Sequence, residues 1–106
     1  MLSDFVTSKT INALTLTANT PVPVWIPASG KRFVLQGVVL SASAATNVQI
    51  LDGTVLVAII PLAAGGPLFI PFGEQTGIQA ANVGNVLNIQ SAVAATLSGT
   101  IYGDEI

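Results

Sequence analysis

Asp4, Asp52, Glu74, Asp104 and Glu105 are the only carboxylates of this chain, and with no histidine and no cysteine they hold most of its capacity for acid–base or metal chemistry. Catalysis by paired carboxylates needs two of them at a set separation. Here they are scattered along the chain, apart from Asp104 and Glu105. Those two are neighbours, so in an extended strand their side chains leave on opposite sides. Ser29, Ser41 and the other serines lack an imidazole to take their proton. Gly30-Lys31 resembles the end of a phosphate-binding loop, but the upstream glycine and the following Ser or Thr are missing. The GxxxG spelled by Gly73 and Gly77 encloses Glu74 and Gln75, which makes it a loop rather than a helix-packing face. Asp52 is followed by Gly53, and the turn that this pair favours accounts for it without a cation. No catalytic residue, metal or cofactor is expected.

The remaining candidates are contacts. Sugar-binding platforms present aromatic rings in a row, and of Phe5, Trp25, Phe33, Phe69, Phe72 and Tyr102 only Phe69 and Phe72 lie close in one strand. Core or interface packing is the expectation for each ring. Lys31 and Arg32 are the only adjacent basic residues, far short of a nucleic-acid footprint. They read as a solvated turn or as a contact to an acidic neighbouring subunit. Phe5 and Val6 precede the first clear strand, so residues 1–8 read as a frayed terminus or as an arm that docks on a neighbour.

These residues must be positioned by strands. No window keeps the i, i+3, i+4 rhythm of a helix, whereas Val, Ile, Thr and Leu recur in short runs broken by Gly, Pro, Asn or Asp. The runs are residues 10–18, 22–26, 32–42, 47–51, 54–60, 68–72, 77–81, 85–93 and 96–102. Pro23 restricts its run to an edge or a bulge. Residues 32–42 are almost continuously apolar, which predicts a strand covered on both faces. Asp52-Gly53 predicts a hairpin. The last two runs read as a closing pair, with Leu97 and Ile101 inward and Ser98, Thr100 and Tyr102 outward. The sum is an all-β, antiparallel β-sandwich, jelly-roll-like, of eight or nine strands. Residues 1–8 are expected as an N-terminal arm and residues 9–106 as one domain.

Charge separates this chain from an ordinary soluble domain. Only 8% of its 106 residues are charged and 51% are apolar, against roughly 25% charged in a typical domain. A free monomer relies on a charged surface to stay dispersed, so this composition predicts a surface shared with neighbours and a homo-oligomer. The uncharged stretch 53–73 is long enough to span a bilayer, but Pro61, Gly65, Gly66, Pro67 and Pro71 break it into two strands and a turn. Met1 to Asp4 has no basic region followed by an apolar run, so no secretory signal is expected.

From Gly30 to Tyr102 the wording resembles small β-proteins of tailed-bacteriophage virions, among them capsid decoration (cement) proteins. The carrying residues are Gly30-Lys31-Arg32-Phe33, Val39-Leu40-Ser41-Ala42, Val48-Gln49-Ile50-Leu51-Asp52-Gly53-Thr54, Ile60-Pro61-Leu62, Pro71-Phe72-Gly73, Gly84-Asn85-Val86-Leu87-Asn88-Ile89-Gln90-Ser91 and Ser98-Gly99-Thr100-Ile101-Tyr102. The resemblance implies a structural virion protein on the capsid surface, made in the host cytoplasm. It would form a homotrimer that binds across major capsid subunits, without nucleic acid, membrane or cofactor. A phage tail, baseplate or head-fibre component, or a receptor- or glycan-binding module, is the alternative. Phe5, Val6, Trp25, Lys31 and Arg32 are the expected assembly contacts.

Overall fold

The computed structural model describes residues 7–72 and 77–106. They form nine strands and no helix. In chain order these are β1 (Thr7–Leu16), β2 (Val22–Trp25), β3 (Phe33–Ala42), β4 (Thr46–Asp52), β5 (Val55–Leu62), β6 (Leu68–Pro71), β7 (Ile78–Gln79), β8 (Leu87–Ser91) and β9 (Ala95–Glu105). One sheet runs β1-β9-β3-β6, with β7 also on β3, and the other runs β2-β8-β4-β5. Every strand pair is antiparallel. Because β6 and β7 pair successive stretches of β3, they fill one strand position. Counted so, the two sheets interleave as 1-8-3-6 and 2-7-4-5, the jelly-roll order.

The two-residue periodicity of each strand builds the core between the sheets. Phe33, Leu35, Val38 and Leu40 of β3 and Leu97 and Ile101 of β9 meet Val48, Ile50, Leu87 and Ile89 from the opposite sheet. In β9 the inward residues Leu97 and Ile101 are fully buried, while Ser98, Thr100 and Tyr102 are half-buried on the other face, as the alternation predicted. Pro23 lies on an edge strand and beside a register irregularity, the two places open to it.

Four expectations shift. The sandwich starts at Thr7, which pairs with Gly103, so two residues assigned to the arm belong to β1; residues 1–6 lie outside the described residues. β3 is not covered on both faces, since Val39 is 38% exposed. β8 and β9 are not a hairpin: their short connection crosses from one sheet to the other. A tight loop between two apolar runs reads alike in both cases, because each run faces the same core from its own sheet. The β4–β5 hairpin does form, but its turn is Gly53-Thr54, with Asp52 paired to Val55. Only Gly53 has positive φ there, at 62°, the primed-turn pattern with glycine first. Asp52 instead braces a neighbouring loop. Its buried carboxylate accepts the Ala81 backbone N–H at 2.8 Å and the Asn85 side-chain amide at 2.9 Å.

Candidate assembly surface

Charge is segregated along the sandwich. The connections 17–21, 43–45, 63–67 and 92–94 gather at one end, where β1, β3, β5 and β8 stop, and hold no charged residue. Main-chain bonds tie them together: Gly65 N–H to the Ala42 carbonyl at 2.7 Å, Asn19 N–H to Ser91 at 2.8 Å and Ser43 N–H to Thr96 at 2.9 Å. Lys31, Arg32, Asp52, Asp104 and Glu105 lie at the opposite end, beside the starts of β3 and β5 and the close of β9. Contacts made through the neutral end lose little to salt, because there is no charge to screen.

Trp25, expected as an assembly contact, is a core residue only 1% exposed. Its ring lies against Phe33 with centres 6.0 Å apart, and its indole N–H donates to Glu105 Oε2 at 2.7 Å. The Ala28 backbone N–H donates to the other Glu105 oxygen at 3.1 Å. The Trp25 bond above all holds the Glu105 carboxyl below the ordinary carboxylate value; burial opposes this, and the Ala28 bond and the charges of Lys9 and Lys31 reinforce it. A buried indole needs a partner for its N–H, and this acceptor sits 80 residues away in sequence.

Lys31 is exposed and Arg32 half-buried. Their backbone is pinned on two sides. Arg32 and Ile106 exchange main-chain bonds of 2.7 and 2.9 Å, and Gly84 N–H donates to the Lys31 carbonyl at 3.0 Å. Phe5 and Val6, the other expected contacts, lie outside the described residues, as do Asp4 and Glu74. Of the expected contacts among the described residues, Trp25 is in the core and only Lys31 and Arg32 reach the surface.

The apolar surface lies elsewhere. On β5, an edge strand of its sheet, Val55 is 62%, Leu56 47%, Val57 37% and Ile59 53% exposed. Edge strands are usually blunted by charge, proline or a bulge. β5 has Pro61 and an extra residue near Val57, but no charge. Beside it, Gln90 donates to Gln49, which is in register with Ile59, so an amide strip adjoins the aliphatic one. The run Val55 to Ile60 lacks polar alternation, the pattern of a strand covered on both faces, so nothing in its sequence marks it as exposed.

A second apolar patch lies on the outer face of the other sheet. Phe69 of β6, 56% exposed, and Tyr102 of β9 have ring centres 6.5 Å apart with planes 16° from parallel. The Tyr102 ring reaches across β3 above Gly37, where a Cβ would collide with its hydroxyl and ring. Val39 stands next to Phe69 in register. No local signal marks this pair, since it exists only because β3 joins β9 to β6. Among the described residues no three acidic groups cluster closely enough to hold a metal ion, and no helix is long and apolar enough to cross a membrane. No protein-family model matches this chain, and a search of the curated proteins finds no match.

Proposed function

We propose that this chain is a structural protein of a tailed-phage virion, a capsid decoration protein that self-associates and binds across major capsid subunits to stabilise the shell. The observation that carries the reading is the exposed aliphatic stretch of β5, four large side chains within five residues on an uncharged edge. Contiguous exposed apolar surface on a soluble domain marks an interaction site. A role of this kind needs broad dry contacts and a stable closed core, and it calls for no catalysis and no cofactor. The resemblance from Gly30 to Tyr102 supplies the virion context and the expectation of a trimer.

The test is to replace Leu56 and Ile59 by lysine and bind the variant to capsids lacking this protein. Both side chains are about half exposed, so the domain keeps its melting temperature within the small range of surface changes. Capsid occupancy falls at least tenfold. Full occupancy by the folded variant, or DNA release at the same temperature with and without the protein, refutes the proposal. The Phe69–Tyr102 pair favours a second reading, a tail or fibre component that holds a receptor or glycan on this face.

A further inference from the structure

We propose that Phe5 of a second copy of this chain fills a groove between β1 and β2, so that copies join by exchanging their N-terminal arms. The inference rests on the self-association just proposed and names its contact. The groove has a volume of about 230 Å³ and is lined by Thr10, Ile11, Asn12, Leu14, Pro23 and Val24. Its lining is uncharged, with buried Ile11 and half-buried Leu14 and Val24 below an exposed rim of Thr10, Asn12 and Pro23. It opens at a β-bulge between Ile11 and Leu14, where Ala13 adopts φ of +50°. A left-handed conformation is costly for alanine and marks a place that the surrounding structure holds deliberately. Ala13 N–H is meanwhile met by Ser98 Oγ at 3.1 Å.

Size selects the occupant class. A cavity of roughly 150 Å³ suffices for a benzene ring, while pockets for drug-sized ligands begin at about 300 Å³. This groove therefore suits one aromatic side chain. Among the residues before Thr7, Phe5 is the only aromatic one. Reach works against the chain's own Phe5, which would have to double back along β1 to enter the groove. Phe5 is two residues from Thr7 and so at most ~7 Å away, whereas Asn12 stands five residues up β1, about 17 Å from Thr7. A neighbour's arm has no such limit. Arm into groove is a head-to-tail contact, which closes into a ring when the rotation permits, and a three-membered ring is compatible with it.

The chain has no cysteine, so cross-linking is clean. A tagged Asp4→Cys protein, which keeps Phe5, is mixed with untagged Asn12→Cys protein and oxidised, with Ser29→Cys, in an exposed turn, replacing Asn12→Cys as the control. The expected result is a mixed disulfide well above the control. A yield equal to the control overturns the proposal. In parallel, Phe5→Ala, a change that precedes the first strand, is expected to sediment as a folded monomer with an unchanged far-ultraviolet circular dichroism spectrum while the parent chain sediments as a larger species and melts higher. A monomeric parent chain at micromolar concentration, or undiminished assembly of Phe5→Ala, overturns it. Both measurements use the isolated protein, so a failure to bind capsids would refute the virion role and leave this contact standing.

Discussion

Replacing Glu105 by glutamine probes the charged end of the sandwich, where one carboxylate links β9, the end of β2 and the turn after it. Its two oxygens accept from Trp25 Nε1 at 2.7 Å and from the Ala28 backbone at 3.1 Å. Glutamine keeps the shape but has one acceptor oxygen, so its NH₂ must face one of these donors. A hydrogen bond to a charged group contributes about 1.5–3 kcal/mol. Glu105 is only partly buried, which argues for the lower end, about 1.5 kcal/mol. The charges of Lys9 and Lys31 are screened by solvent and add no separate share. For a domain of this size about 1.5 kcal/mol lowers Tm by roughly 6–12 °C. The pH dependence has a definite sign. The Trp25 hydrogen bond is the largest cause of a lowered folded pKa, so the stabilisation is complete above the unfolded carboxyl's pKa and is lost as pH falls through the folded one. Thermal melts followed by near-ultraviolet circular dichroism should therefore show a gap between parent and variant at neutral pH that closes in acid. Equal melting at neutral pH, or a gap that persists once the carboxyl is protonated, would refute the reasoning.

Two further substitutions test other parts of the fold. Gly53→Val places a β-branched residue at φ of 62° in the β4–β5 turn and should cost about 1 kcal/mol or more in chemical denaturation; a midpoint equal to the parent's would mean that the turn is misplaced. Gly37→Ala puts a methyl group where the Tyr102 ring lies. The ring should swing off Phe69 with loss of a contact worth about 0.5–1.5 kcal/mol, visible as a change in the aromatic proton shifts of Phe69, and unchanged shifts would contradict the packing described.

Much of the architecture was legible because it is written locally. The alternation of Leu97 and Ile101 with Ser98, Thr100 and Tyr102, the breaker residues between apolar runs and the ring constraint of Pro23 act within a few residues of themselves. They determined an all-β sandwich, its β4–β5 hairpin and an edge or bulge position for β2, while the scarcity of charge raised the expectation of a shared surface. What the tertiary structure alone decided is which strand lies beside which. Trp25 reads as a contact residue until Glu105 arrives from the far end of the chain to take its N–H. Residues 85–93 and 96–102 read as a hairpin until each is paired with other strands in separate sheets. Val55, Leu56, Val57 and Ile59 resemble any buried strand until β5 is left at an edge, and Phe69 meets Tyr102 only because β3 stands between β6 and β9. Side-chain alternation is a property of one strand, but whether a face is covered depends on neighbours distant in sequence, and nothing local to either strand encodes that.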